Sequence, residues 1–179
     1  MYIKEEELLD FYNSLPTGGQ VTSKDKLVRT LEALGVEMKG DVLDLGCAQG
    51  HTCKFAKMLG AKSAFGVDFS KERIAIAKKN NPGIEFLATD MHYFVDTTNL
   101  TFDIIMLFDA IEHLEDSKAL IENAKEILNP GGKIISSTPL RMPYKSHIQV
   151  FETLDEFVTK LSPTKAIEDG KSALALWAK

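Results

Sequence analysis

Cysteine is scarce in this sequence, and long apolar runs and a basic leader are missing. The two cysteines, Cys47 and Cys53, are too few for a disulfide framework, so we expect two reduced thiols, as is usual in a cytoplasmic protein. A zinc site would need closer spacing and further ligands. No run reaches the roughly 18 apolar residues of a membrane span, and the acidic first residues lack the pattern of a secretory signal. We therefore expect a cytoplasmic protein without a membrane span.

Positive charge is also in short supply. The chain has 21 Lys and Arg against 26 Asp and Glu, which gives a net charge of −5. An acidic protein gains little from the phosphate backbone, so nucleic acid is not the expected partner. The basic cluster at 71–79 is interrupted by Glu72 and is expected to be a solvated helix face. The partner that we expect is a small-molecule acceptor, and the chain is expected to be a monomer or a homodimer.

The sequence also lacks the two common phosphate-binding fingerprints. A dinucleotide-binding turn reads G-x-G-x-x-G, but here the corresponding positions are Gly46, Ala48 and His51. No Gly-Lys-Ser/Thr follows, so a P-loop is absent as well. What remains is an apolar strand that enters a turn with glycine at both ends, Gly46 and Gly50, before a helix. Glycine at these positions lets the backbone approach a ligand closely.

The chain has the length of one domain, 1–179, with a core at 37–179 and helices at 1–36 that are expected to cover the site. Short apolar runs alternate with helical patterns along it. Strands are predicted at 42–45, 63–67, 84–88, 102–108 and 133–137, and in a hairpin at 164–168 and 172–178 around Asp169-Gly170. Helices are predicted at 4–13, from an N-cap at Ser23 to 34, and at 50–59, 71–79, 117–128 and 154–161, with breaks at 15–19, 80–83 and 129–132.

This alternation predicts an α/β fold of the doubly wound kind. Strands joined through helices run parallel and are covered on both faces, whereas the terminal hairpin adds an antiparallel strand. We therefore expect a mostly parallel, seven-stranded, Rossmann-like sheet. In such a sheet a ligand lies beyond the carboxyl ends of the strands, at the turn that follows the first strand.

Three predicted strands end in a carboxylate, at Asp44, Asp68 and Asp90. Asp44 would suit a cationic ligand and repel a pyrophosphate. Asp68 lies 18 residues after Gly50, close to the spacing of a carboxylate that accepts from ribose hydroxyls. The alternative interpretations are helix capping for Asp68 and a loop turn for Asp90.

The segment 41–50 resembles the first motif of class I S-adenosylmethionine methyltransferases, apolar-Asp-x-Gly-x-Gly-x-Gly. Ala48 replaces the middle glycine, and we expect this position to avoid a strongly positive φ. The resemblance implies S-adenosylmethionine as cofactor and S-adenosylhomocysteine as product, with Asp68 on the ribose and Asp90 on the adenine amino group. The cofactor-binding residues that it implies are Asp44, Gly46, Cys47, Ala48, Gly50, His51, Asp68, Phe69, Asp90, Met91 and Phe108. Core packing is the alternative for Phe69, Phe108, His51 and Met91, and Cys47 and Cys53 are expected to be small packing residues.

The segment 109–116 resembles the Glu-x-x-Glu-His stretch of the ubiquinone-biosynthesis O-methyltransferases, and the resemblance extends over roughly residues 40–140. It suggests Glu112, His113 and His147 as catalytic residues, with His113 as general base. The alternative role of His113 is to orient the loop. Asp109, Glu112, His113 and His147 could instead hold a divalent metal, as in small-RNA 2′-O-methyltransferases, although Asp109 replaces a longer Glu. A polar pocket without metal is the alternative.

Three functional hypotheses follow from these patterns. The first is a small-molecule methyltransferase that acts on a hydroxyl oxygen, with an open acceptor pocket formed partly by 140–152. In that loop, Arg141 and Lys145 would meet an anionic acceptor or remain solvated charges. The second is an RNA-end 2′-O-methyltransferase with a metal site. The third is a catalytically silent adaptor, which would have a damaged cofactor site.

Overall fold

The computed structural model describes residues 24–179. The predicted helix at 4–13, the break at 15–19 and the N-cap at Ser23 lie outside these residues. No helix in the described part of the chain is both long and apolar enough to span a membrane.

The described residues form helices and strands in alternation. The helices are α1 (Lys24–Leu34), α2 (His51–Met58), α3 (Lys71–Asn80), α4 (Met91–Thr97), α5 (Ser117–Glu126) and α6 (Leu154–Leu161). The strands are β1 (Asp41–Leu45), β2 (Ser63–Asp68), β3 (Glu85–Ala88), β4 (Phe102–Phe108), β5 (Leu128–Pro139), β6 (Lys165–Asp169) and β7 (Ser172–Ala178). A short 3₁₀ turn, Ile111–His113, follows β4.

Within 24–179 the strands form one seven-stranded sheet in the order β3-β2-β1-β4-β5-β7-β6. The first five strands are parallel, and β7 runs antiparallel to both β5 and β6. This confirms the predicted doubly wound fold and its terminal hairpin. The strand order reverses between β1 and β4, so the crevice at their carboxyl ends is the expected ligand site.

Both faces of the sheet are buried, as the apolar sequence of β4 predicts. Ile105 and Leu107 face a core formed with α4, α5 and α6, whose largest fully buried side chain is Trp177. Ile104 and Met106 face the opposite way and pack with α1 and α2. Because successive residues of a strand point to opposite faces, one strand supplies both cores.

The boundaries around β5 differ from the prediction. The helix predicted to end at 128 ends at Glu126, and the strand predicted from 133 begins at Leu128. Leu128 pairs with Phe102 and Lys133 pairs with Ile104, so the predicted 129–132 turn is an irregular excursion within the strand. The Asn129 side chain anchors this excursion by donating to Asp103 Oδ1 at 2.9 Å.

Helix α4 has no counterpart among the predicted elements. Its sequence, MHYFVDT, contains aromatic and β-branched residues that disfavour helix. Asp90 compensates as N-cap, because its side chain accepts from the Tyr93 N–H at 2.9 Å. Burial of Phe94 and Val95 against the sheet stabilises the helix further.

Candidate active site

The turn after β1 is fixed by hydrogen bonds to β2. Gly46 and Gly50 have φ of 85° and 79°, a conformation that strongly favours glycine. The amides of Gly46 and Cys47 both donate to the Val67 carbonyl, at 2.8 and 3.0 Å. A Cβ at Gly50 would lie 2.5 Å from the Phe86 ring, so both backbone conformation and space require glycine there.

Ala48 departs from its prediction. Its φ is 46°, in the left-handed region, so the expectation that this position avoids a strongly positive φ is wrong. This conformation costs a residue with a Cβ roughly 1–2 kcal/mol. The Ala48 N–H donates to Asp68 Oδ2 at 2.9 Å, and this hydrogen bond explains why the turn keeps the conformation despite the missing glycine.

Asp68 connects the end of β2 to the glycine turn. Its side chain is 5% exposed, and its two oxygens accept from the amides of Ala48 and Ser70, each at 2.9 Å. Burial raises its pKa. The N-cap of α3 is Ser70, whose hydroxyl accepts from Arg73 N–H, so helix capping is not the role of Asp68. Asp68 is a rigid acceptor that faces the turn.

Asp44 lies deeper, at the end of β1. It is 2% exposed, and Cys53 Sγ donates to its Oδ2 at 3.5 Å. Burial raises the pKa of Asp44 to about 7, and the nearby charge of Asp68 acts in the same direction. Burial also raises the pKa values of the Cys47 and Cys53 thiols well above their usual range. Both thiols are buried and free, as the sequence predicted.

The remaining predicted cofactor residues occupy different depths. Asp90 is exposed and caps α4, while His51, the first residue of α2, is half-buried. Met91 lies over the glycine turn, with its Cε 3.7 Å from where a Gly46 Cβ would be. Phe69 is half-buried, whereas Phe108 is only 5% exposed and belongs to the core under α1. The core-packing alternative therefore fits Phe108 best.

A polar cluster follows β4 on the other side of the turn. Glu112, His113 and His147 each offer one ligand atom, and these atoms lie within 4.8 Å of one another. His113 Nε2 is 3.9 Å from Glu112 Oε1, and the two imidazole centroids are 5.0 Å apart. The structure thus brings His147 to two adjacent residues that precede it by more than thirty positions.

Backbone carbonyls orient both imidazoles of this cluster. His113 Nδ1 donates to the Ser146 carbonyl at 2.9 Å, and His147 Nδ1 donates to the Met142 carbonyl at 2.7 Å. Since a carbonyl only accepts, each ring carries its proton on Nδ1 and keeps a lone pair on Nε2. Burial lowers the pKa of His113 to about 4 and also lowers the pKa of His147. Both rings are therefore neutral at pH 7.

Glu112 is the buried carboxyl of the cluster. It is 2% exposed, and its Oε2 has no hydrogen-bond partner among the described residues. Burial, and to a lesser extent the nearby Asp109 carboxylate, raise its pKa to about 8. An unpartnered buried carboxylate oxygen beside two imidazole lone pairs is a donor set suited to a divalent cation.

Asp109 lies outside this group, which contains the other three of the four possible metal ligands. Its carboxylate pairs with Lys26 Nζ of α1 at 2.5 Å. Asp109 has a φ of 49°, and its amide donates to the Ser137 carbonyl. Asp109 is thus engaged by Lys26, and its side chain is also shorter than the Glu found at this position in the resembling enzymes.

Sequence reasoning missed Gln149, which fastens the loop after β5 to the 3₁₀ turn. Its side chain is buried and donates to Ser117 Oγ at 3.1 Å and to the Leu114 carbonyl. The amides of Ile148 and Gln149 both donate to the Glu112 carbonyl, at 2.9 and 3.0 Å. These bonds bring His147 to His113, and no local sequence signal marks a loop glutamine for this role.

Arg141 lies apart from the cluster. Its guanidinium pairs with Glu168 of β6 and donates to the Glu152 carbonyl at 3.2 Å, so it ties the loop to the terminal hairpin. This arrangement does not support the idea that Arg141 meets an anionic acceptor. The glycine turn and the acidic strand ends are intact, in contrast to the damaged site expected of a silent adaptor.

Comparison with known proteins shows the family of the chain. Residues 9–171 match a family described as a methyltransferase domain. The ubiquinone biosynthesis O-methyltransferase of Bradyrhizobium diazoefficiens is 32% identical over 118 residues, which cover 64% of this chain and 44% of that protein. The chain spans about two fifths of the length of this and two similar relatives.

Solved structures show the same fold at low sequence identity. The DhpI–SAH complex superposes with a TM-score of 0.76 at 21% identity, covering 97% of this chain and 95% of that one. The N-methyltransferase NodS from Bradyrhizobium japonicum WM9, in complex with S-adenosylhomocysteine, gives a TM-score of 0.63 at 22% identity, covering 86% and 87%. Because the matched family spans most of its residues, the chain belongs to the methyltransferase-domain family, and it has the fold of these solved methyltransferase structures.

Proposed function

We propose that this chain transfers the methyl group of S-adenosylmethionine to a hydroxyl oxygen of a small-molecule acceptor. The observation that carries the proposal is the position of the Glu112–His113–His147 cluster directly beside the glycine turn. Ala110, which leads into the cluster, has its Cβ 3.3 Å from where a Gly46 Cβ would be. An acceptor held at the cluster would therefore face a cofactor held at the turn.

The cofactor half of the proposal rests on the strand ends. We assign Asp68 to the ribose, because each of its oxygens has a second lone pair beside the one used by a backbone amide. Asp90 and Met91 are assigned to the adenine, and Asp44 to the cationic end of the ligand. Gly46, Cys47, Ala48, Gly50, His51 and Phe69 would form the walls around it.

The acceptor half includes a divalent metal held by Glu112, His113 and His147. Two oriented imidazoles and an unpartnered buried carboxylate oxygen fit such an ion. A bound metal lowers the pKa of a coordinated hydroxyl and orients it for attack. Asp109 is left out of the proposed ligand set because Lys26 occupies its carboxylate.

The roles of the residues follow from their protonation. The low pKa of His113 keeps its Nε2 lone pair available at neutral pH but makes it a weak base for a hydroxyl proton. We therefore assign both imidazoles to holding and orienting a metal through Nε2, and the proton of a hydroxyl made acidic by that metal would pass to solvent. His113 could act as the general base only in a site without metal, where its Nε2 lone pair is not a ligand. Glu112 would give up its proton to bind a cation and would balance part of the charge of that cation.

The choice of oxygen and of a small acceptor has independent support. Several curated relatives that match this chain are named as ubiquinone biosynthesis O-methyltransferases. The net charge of −5 gives no electrostatic assistance to RNA binding. NodS is named as an N-methyltransferase on a similar fold, so the acceptor atom has to be tested directly.

The test is methyl transfer from labelled S-adenosylmethionine to three matched acceptor sets: small hydroxyl compounds, the corresponding amines, and short RNA. We expect a labelled product from hydroxyl compounds, detected by mass spectrometry, and loss of product when divalent metal is chelated. Glu112→Gln should lower kcat at least tenfold and leave cofactor affinity unchanged, whereas the exposed neighbour Glu115→Gln should have no effect. Product from amines or RNA alone, or an active Glu112→Gln variant, would contradict the proposal.

A further inference from the structure

Lys26 reaches the acceptor cluster from a helix that is remote in sequence. It lies in α1, and its ion pair with Asp109 spans 83 positions of the chain. Both side chains are largely buried, with 21% and 19% exposed. The adjacent Leu27 is fully buried in the core beneath α1, so the backbone that carries Lys26 is fixed in place.

Asp109 lies close enough to the cluster to influence every member of it. Its carboxylate raises the pKa of Glu112, and it also acts to raise the pKa values of His113 and His147. A carboxylate at this range is a potential fourth ligand for a cation at the cluster. In the structure it is instead bonded to an ammonium group.

We propose that Lys26 is a positioning residue that keeps Asp109 away from a metal at Glu112, His113 and His147. This inference rests on the metal site of the proposed function. It gives that site three protein ligands rather than four.

The chemical consequence is an open site. A metal that binds substrate needs coordination positions without protein ligands, and three protein ligands leave one more such position than four. A second carboxylate would also hold the ion more tightly, since ligand charge raises affinity for a cation. Lys26 therefore lowers the affinity of the site for the metal and leaves a coordination position for the acceptor oxygen.

The experiment is a calorimetric titration of the full chain with Co²⁺, accompanied by visible absorption spectra, because Co²⁺ reports its own coordination. Lys26→Met keeps the length of the side chain but removes the charge, so Asp109 becomes available. We expect this variant to bind Co²⁺ at least tenfold more tightly than wild type and with a changed spectrum. Lys26→Arg, which keeps the ion pair, should match wild type in both measurements.

Two further variants separate ligation from remote charge. Asp109→Asn should bind Co²⁺ within threefold of wild type, because Asp109 is not a ligand there. Lys26→Met/Asp109→Asn should lose the gain of the single variant and return to the wild-type spectrum. Unchanged or weaker binding by Lys26→Met, or tighter binding without a spectral change, would overturn the inference while leaving the metal site standing. Absence of Co²⁺ binding by every variant would remove both the inference and the metal site.

Discussion

At the scale of single residues, the site depends on backbone positions that tolerate little change. The glycine turn has a positive φ at three alternate positions, Gly46, Ala48 and Gly50. Two of them are occupied by glycine, and the third is occupied by alanine with the help of Asp68. The motif in the sequence predicted where the turn would be, but the backbone conformation of Ala48 became known only from the structure.

Replacing Ala48 with glycine should stabilise the protein. The substitution relieves a left-handed φ that costs roughly 1–2 kcal/mol. Against this, the greater backbone entropy of glycine in the unfolded state lowers stability by less than about 1 kcal/mol. We expect the free energy of unfolding to rise by about 0.5–1 kcal/mol in denaturant titrations, with cofactor affinity retained. Ala75→Gly, on the exposed face of α3, is the matched control and should lose about 1 kcal/mol. Destabilisation by Ala48→Gly would show that the alanine is not strained.

Asp44 should make stability depend on pH in a definite direction. Its folded pKa, about 7, lies above the ordinary value of 3.8, so the folded state holds a proton that the unfolded state releases. This bound proton stabilises the folded state. The stabilisation is fully present below pH 4 and is lost as the pH rises from 4 through 7, by at most about 1.4 kcal/mol per pH unit. The free energy of unfolding of Asp44→Asn, relative to wild type, should therefore increase between pH 4 and 7. A difference that is constant across this range would show that Asp44 is ionised in the folded protein.

At the scale of elements, the sequence predicted what local patterns encode. The hairpin around Asp169-Gly170 and helix α6 have the expected bounds to within a residue, because turn chemistry and apolar periodicity determine them. Helix α4 was missed because packing stabilises it against its own propensity. The loop after β5 could not be placed either, since its position depends on hydrogen bonds to the 3₁₀ turn, more than thirty residues earlier in the chain.

Gln149 is the residue on which the position of that loop should depend. Gln149→Leu removes the side-chain amide that donates to the Leu114 carbonyl and to the Ser117 hydroxyl. Leaving these two buried groups without that donor should lower the free energy of unfolding by about 1–3 kcal/mol. We expect Co²⁺ affinity to fall at least tenfold as His147 leaves His113, while affinity for S-adenosylmethionine stays within twofold. Asn123→Leu removes an exposed carboxamide bond to Asp96 and serves as control. Equal loss of metal and cofactor binding would mean global unfolding instead.

At the scale of the whole molecule, the fold explains why the two halves of the site meet. The strand order reverses between β1 and β4, so the loops that follow these strands diverge and leave a crevice between them. The glycine turn follows β1, and the Glu112–His113–His147 cluster follows β4 and β5. The sequence predicted this crevice from the alternation of strands and helices. It did not predict the separation of Asp109 from the cluster, which depends on Lys26 in a different element.

The central claim is that the glycine turn and Asp68 hold S-adenosylmethionine, and calorimetric binding tests it most directly. Wild-type protein should bind S-adenosylmethionine with a micromolar Kd. Asp68→Ala should weaken binding by at least a hundredfold, because it removes both the proposed acceptor for the ribose and the hydrogen bond that fixes Ala48. Asp116→Ala removes an exposed helix cap on α5 and should leave the Kd unchanged. If wild-type protein does not bind, or if Asp68→Ala binds as tightly as wild type, the cofactor does not occupy this crevice in the way proposed.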